Sequence, residues 1–214
     1  MGPWHSTPVS LCVDEIRHPL CFCTEDFLFW EHHRLGQVTL ITGGIRSGKS
    51  RYALQRAESL GERRLFIATA EPADEEMRLR IACHQKERAQ RNWHVAEVPL
   101  LLSQAVSAAT DCDVLLIDCL TIWVSNLMWK AEQQQRPFTE DDMRNECERL
   151  LTACRAITAS VVFVTNEVGF GGIAADPVAR RFADVLGRAN RAIAEGADNA
   201  ILVVCGQPFI LKGK

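Results

Sequence analysis

The sequence predicts an α/β fold, an open and mostly parallel β-sheet with helices on both faces, and three observations carry that expectation. Short apolar runs recur along the chain as "QVTLITG", "RRLFIATA", "DVLLIDCL", "SVVFVTN" and "AILVVCG". They lack the polar alternation of a half-solvated strand, which is the mark of strands covered on both faces. Segments with helical apolar spacing separate them, as right-handed strand–helix–strand crossovers require.

Taken in order, residues 37–43 form the first strand, and a helix over 49–60 carries Tyr52, Leu54, Ala57 and Leu60 on one face. "RRLFIATA" is the second strand, followed by a helical stretch from about 74 to 90. Residues 93–98 are a short strand, and an apolar helix spans about 100–109. The run "DVLLIDCL" is a buried strand. The helical region after it breaks near Pro137 and restarts behind Thr139, where Asp142 three residues on completes a capping box for a helix reaching about 158. After "SVVFVTN", Asp176-Pro177 opens a helix in the cap-then-proline order. Val178, Phe182, Val185, Ala189 and Ile193 mark its inner face. "AILVVCG" and a last short strand, "PFILK", close the chain.

Residues 1–36 stand apart. They hold four of the six histidines (His5, His18, His32, His33) and three of the nine cysteines, without sustained periodicity. "CFC" and "HH" match no common zinc spacing, so this segment is expected to be a poorly ordered or loosely docked extension to a domain spanning 37–214.

Composition narrows the function. Of the 214 residues 47% are hydrophobic, enough for one globular domain, and the formal net charge is −3. No sequence-wide positive field draws nucleic acid or an anionic membrane, so a bound phosphate must be held by a local site. An odd number of cysteines scattered through apolar segments suits reduced thiols in a cytoplasm. Neither a signal peptide nor a membrane-spanning run is expected.

The local site is "GGIRSGKS". Gly43, Gly48, Lys49 and Ser50 satisfy G-x-x-x-x-G-K-[ST] between a strand and a helix, which makes the expected architecture a P-loop NTPase fold of the RecA-like kind. Backbone N–H groups of Gly43, Gly44, Ile45, Arg46, Ser47 and Gly48 are expected to cradle phosphates at a helix N-terminus. Lys49 belongs against the β- and γ-phosphates, and Ser50 on Mg²⁺. Asp118 ends "VLLID", where a carboxylate orients the same ion; read alone, an aspartate there is also a common helix cap. These residues specify a nucleoside triphosphate with Mg²⁺ and leave the phosphate acceptor open.

One histidine stands out. Arg80, His84 and Arg88 are spaced by four and share a helical stripe. Flanking guanidiniums disfavour the imidazolium, keeping the ring neutral and nucleophilic while offering forks for phosphate oxygens. The spacing suits equally a solvated helix whose histidine does no chemistry.

Here the motifs resemble a known family, the bifunctional adenosylcobinamide kinase/adenosylcobinamide-phosphate guanylyltransferases of cobalamin biosynthesis. The likeness covers about 38–212 and rests on "TGGIRSGKSR", "IATAEPADEEMRLRIACH", "DCLTIWVSNL", "TNEVGFG" and "GRANRAIAEGADNAILVVCGQPFILK" in order. It implies phosphorylation of adenosylcobinamide with ATP or GTP, then transfer of GMP from GTP to adenosylcobinamide phosphate through a guanylyl-histidine. It also implies that His84 is that nucleophile and that Ala68, Thr69, Ala70, Gln85, Lys86, Glu87, Arg88 and Glu97 join the phosphate loop and Asp118 in nucleotide binding. A homo-oligomer, by family habit a trimer, is a further implication. The chain departs from the family with an extra residue between Arg88 and Trp93, and with Gly172-Ile173-Ala174 replacing a more apolar run.

The competing readings are a P-loop small-molecule kinase without guanylyl transfer, a RecA-like motor and a regulatory GTP-binding subunit. The motor would need a basic stripe for nucleic acid, and the sequence has none.

Overall fold

The computed structural model describes residues 36–71 and 91–213, with Glu75, Arg78 and Ala82 between them. The extension and most of 72–90, including His84, Gln85, Lys86, Glu87 and Arg88, lie outside the described residues. Every element below belongs to the unit 34–214.

The elements run β1 (Val38–Gly43), α1 (Lys49–Glu58), β2 (Arg64–Ala68), β3 (Trp93–Glu97), α2 (Leu102–Ala108), β4 (Val114–Asp118), α3 (Leu120–Gln133), α4 (Glu140–Arg155), β5 (Ser160–Val164), a 3₁₀ turn (Gly169–Gly171), α5 (Pro177–Gly196), β6 (Asn199–Val204) and β7 (Gln207–Lys212). Glu75, Arg78 and Ala82 are helical, as expected for that stretch. The seven-stranded sheet has the order β3-β2-β4-β5-β1-β6-β7. β1 to β6 run parallel, and β7 returns antiparallel to β6. The expected P-loop class of open, mostly parallel sheet is the one observed.

Position in that order explains composition. The inner strands β4, β5 and β1 are covered on both faces, and their apolar runs are buried. The edges β3 and β7 are largely exposed and correspondingly more polar or interrupted. α1 closes one face, where Ala53, Leu54 and Ala57 meet Ile41, Phe66, Leu116 and Val164. The other face is covered by α2 to α5 around Trp123, Met143, Leu150, Phe163 and Leu186.

Helix boundaries follow local chemistry. α4 starts at the expected capping box: Thr139 Oγ1 accepts from the Asp142 N–H at 3.1 Å, and Asp142 Oδ2 accepts from the Thr139 N–H at 2.7 Å. It ends at Arg155, three residues before the expected limit. Asp176 Oδ1 caps α5 by accepting from the Ala179 N–H at 2.8 Å, with Pro177 in the first turn.

The expected inner face of α5 needs correction at one end. Val185, Ala189 and Ile193 are buried, and Phe182 is half-buried, but Val178 is 71% exposed. The first turn of α5 borders an open groove with Trp129 and Pro137, so a residue in phase with the stripe has no core beneath it.

Candidate nucleotide and phosphate-transfer site

The carboxyl ends of the strands form one row. Register pairs Glu97 with Ala68, Ala68 with Asp118, Asp118 with Val164 and Val164 with Ile41. Such row ends, where helices and loops leave the sheet, are where open α/β folds bind ligands.

The phosphate loop leaves β1 two residues beyond that row. Gly43 is buried, and a Cβ on it would stand 2.4 Å from the Val203 carbonyl and 2.6 Å from Ser47 Oγ, so no larger residue fits. The Ser47 N–H donates to the Gly44 carbonyl at 3.2 Å, curling the loop back on itself. Gly48 caps α1 with φ 94°, a left-handed conformation that glycine adopts freely. Arg46 also has positive φ, at 57°, and Ile45 is 82% exposed, so the loop crest faces outward. The helix dipole and the first-turn N–H groups of α1 therefore open onto the concavity of the loop.

Lys49 is buried, and its Nζ donates to the Gly44 carbonyl at 3.1 Å. Burial pushes its pKa down, while the Cys119 and Asp118 side chains beside it act in the opposite direction. Asp118 thus acts electrostatically on Lys49 although β5 lies between β4, which Asp118 ends, and β1, from which the loop leads to Lys49 at the start of α1. Ser47 Oγ is buried without a hydrogen-bond partner among the described residues. An orphaned hydroxyl inside such a loop marks a site whose polar partner comes from a ligand or water.

Ser50, in the first turn of α1, and Asp118 offer a hydroxyl and a carboxylate. These hard oxygen donors suit Mg²⁺. Among the described residues no cluster of three or more His, Cys, Asp or Glu forms a protein-only metal cage. That donor set fits an ion held largely by phosphate oxygens and water.

The remaining described positions are placed as follows. Thr69 is fully buried; its hydroxyl donates to the Cys119 carbonyl and accepts from the Cys119 N–H, both at 2.8 Å, tying the end of β2 to the end of β4. Asn126 Nδ2 donates to the Thr69 and Pro99 carbonyls at 2.9 and 3.0 Å, holding the segment that runs on into Ala70. Glu97 is exposed at the end of the edge strand, four strands and about 19 Å from β1. It is therefore separated from the phosphate loop, and a contact with a nucleotide seated there would fall at the base or ribose. His94 is exposed on the same edge strand.

Glu167, in "TNEVG", is a carboxylate that the sequence offers equally for orienting an acceptor hydroxyl or for a structural role, and the polar relay that holds it behind the loop was not legible beforehand. Asn190 of α5 donates to Glu167 Oε1 at 2.8 Å and to the Asn166 carbonyl at 3.0 Å. It accepts from Thr165 Oγ1 at 2.7 Å. Thr121, on the helix that follows Asp118, lies 3.4 Å from Thr165 Oγ1 and accepts from the Asn166 N–H at 2.8 Å. Glu167 in turn donates its N–H to the Gly43 carbonyl at 3.1 Å. The available signal was an asparagine inside the apolar stripe Leu186, Ala189, Ile193, where a polar residue without a role is costly.

A glycine-rich loop between a buried strand and a helix, a buried lysine beneath it and an aspartate at the end of a nearby strand define a P-loop nucleotide-binding protein. The chain belongs to the cobinamide kinase / cobinamide phosphate guanyltransferase family, whose profile matches residues 39–211. It is 39% identical over 180 residues to the bifunctional adenosylcobalamin biosynthesis protein CobU of Salmonella typhimurium, covering 79% of this chain and 96% of that one. It is 36% identical over 176 residues to CobP of Pseudomonas aeruginosa, covering 82% and 97%. CobU of Escherichia coli is 36% identical over 179 residues, covering 79% and 96%. Among solved structures, it is similar to flagellar accessory protein FlaH from Methanocaldococcus jannaschii at 13% identity and TM-score 0.47, covering 90% and 86%. It is also similar to the RadB recombinase at 13% identity and TM-score 0.44, covering 78% and 74%.

Proposed function

We propose that this protein phosphorylates adenosylcobinamide with ATP or GTP and then transfers GMP from GTP to adenosylcobinamide phosphate, releasing pyrophosphate. The observation that carries the reading is the buried Lys49, set under the phosphate loop and acted on by Asp118, in a chain of the family named above. A kinase lacking the second activity is not favoured, because the curated relatives are bifunctional.

In this reading the N–H groups of Gly43 to Gly48 and the N-terminus of α1 hold the phosphates, and Lys49 neutralises charge that develops on them. Ser50 and Asp118 would hold Mg²⁺, which supplies charge neutralisation at the phosphate oxygens. Ala68, Thr69 and Ala70 form the floor beside them, and Glu97 meets the base or ribose.

The His84 imidazole attacks the α-phosphorus of GTP. Its N–P bond forms as the P–O bond to pyrophosphate breaks. An oxygen of adenosylcobinamide phosphate then displaces the imidazole, forming the new P–O bond and returning His84 unchanged. Gln85, Lys86, Glu87 and Arg88 accompany the nucleophile, and two displacements replace one encounter between two anions. In the kinase reaction Glu167 orients the acceptor hydroxyl towards the γ-phosphate.

The test is incubation of the protein and a His84→Ala variant with Mg²⁺ and GTP labelled at the α-phosphate. Acid-labile, base-stable label is expected on the parent and absent from the variant. Absence of label from both, with GTP bound, would sink guanylyl transfer through His84.

A further inference from the structure

We propose that Asn190 is the positioning residue that aims the Glu167 carboxylate at the phosphate loop, so that the rate of acceptor phosphorylation depends on this amide. The inference rests on the kinase role given to Glu167 above.

Asn190 is 7% exposed and sits midway along α5 among apolar neighbours. An amide taken out of water there costs stability unless each of its groups is paired. All of them are: both Nδ2 hydrogens are used, one on Glu167 Oε1 and one on the Asn166 carbonyl, while Oδ1 accepts from Thr165. That pattern admits one amide orientation. Turning the amide over would place Oδ1 against a carboxylate and a carbonyl, neither of which can donate to it.

The restraint converges on one group. The main chain of Glu167 is pinned to Gly43 by its N–H, at 3.1 Å, and its Oε1 receives Asn190 at 2.8 Å and the Thr42 hydroxyl at 3.4 Å. Among the described residues both side-chain contacts fall on Oε1, which leaves Oε2 for an acceptor hydroxyl. In the reaction Oε2 takes the hydroxyl proton as the acceptor oxygen bonds to the γ-phosphorus and the bond from that phosphorus to the leaving nucleoside diphosphate breaks. The network ends on the half-buried Glu167 carboxylate, which also receives the hydroxyl of Thr42, one residue before the phosphate loop.

The experiment measures steady-state phosphorylation of adenosylcobinamide by MgATP in Asn190→Ala, Asn190→Asp, Glu167→Gln and the double variant Glu167→Gln/Asn190→Ala. Covalent GMP labelling is followed in each as a report on the folded phosphate site. Asn190→Ala is expected to lower kcat about 10- to 100-fold with the KM for ATP within about two-fold and labelling retained. Asn190→Asp keeps the volume and the bond from Thr165 but sets oxygen against Glu167, so it should lose at least as much; it serves if the alanine variant does not fold. In the Glu167→Gln background, Asn190→Ala should change kcat by less than about two-fold, because the residue acts through Glu167. A slow Glu167→Gln beside a full-rate Asn190→Asp would overturn the role of Asn190. Full-rate Glu167→Gln would overturn the Glu167 reading itself, and multiplying losses in the double variant would overturn the coupling between the two.

Discussion

The Gly206 N–H, in the turn between β6 and β7, donates to the carbonyl of Ser47 in the phosphate loop at 2.8 Å. Cys205 and Gly206 both have positive φ, 51° and 77°, as a two-residue hairpin turn of this hand requires. The antiparallel hairpin that ends the sheet therefore also braces the loop that is expected to hold phosphate.

A side chain at either contact should weaken that brace. A Cβ on Gly48 would stand 3.2 Å from Gly206 Cα, at a φ of 94°. Gly48→Ala and Gly206→Val are each expected to cost about 1–3 kcal/mol in backbone strain and to weaken GTP binding by about ten-fold or more. Calorimetric titration with GTP checks this, and parental affinity in both variants would refute the bracing role.

Lys49 should separate stability from function. Its pKa is lowered chiefly by burial, so the folded state binds that proton less readily than the unfolded chain, and the charge opposes folding at every pH below the ordinary lysine value. Lys49→Met is expected to leave Tm unchanged or raise it while reducing kcat/KM for phosphorylation by about 100-fold or more. Lys49→Arg should not restore activity, because a planar fork does not fit a space made for an ammonium. A variant that loses Tm and keeps activity would contradict the assignment.

Asp113 predicts an acid-dependent loss of stability. Its carboxylate accepts from Arg63 Nη2 at 2.6 Å and Nε at 3.0 Å, and from the Glu62 and Arg63 N–H groups at 3.1 and 3.0 Å. The Arg63 side chain foremost, with these amides, holds its pKa at about 2 against an ordinary 3.8. Because the folded value is the lower one, the contribution is complete above about pH 4 and disappears as pH falls towards 2. Asp113→Ala should cost about 1 kcal/mol at pH 7, allowing for solvent screening of an exposed pair. The difference from the parent should shrink across that acid window in denaturant titrations, and a constant difference would count against it.

The cysteines should react unequally. Burial pushes the Cys147 and Cys154 thiols up to about 12, whereas Cys205 is exposed in the hairpin turn. Brief alkylation of the native protein at pH 8 followed by peptide mass spectrometry is expected to modify Cys205 and spare the other two. Comparable labelling of all three would show that α4 opens readily.

Features legible in the sequence are those written in adjacent residues. The strand runs, the capping box at Thr139 and Asp142, the Asp176-Pro177 start of α5 and the Gly43–Ser50 loop depend on contacts within a few positions, so composition and spacing reveal them. Val178 shows the limit of periodicity: it keeps the phase of the α5 stripe, but burial depends on what stands opposite. The likeness that implies roles for His84 and for Gln85 to Arg88 was also visible in the motifs; those residues lie outside the described structure.

By itself, then, the sequence determined the fold class, the phosphate loop and the family, since each resides in local pattern or ordered motifs. Tertiary structure alone decided that Gly206 supports Ser47, that Glu97 stands about 19 Å from β1 and that Asn190 holds Glu167 beside Gly43. Each of these joins segments distant in the chain, and strand order and helix packing, rather than neighbouring residue types, set which distant groups come within hydrogen-bonding reach.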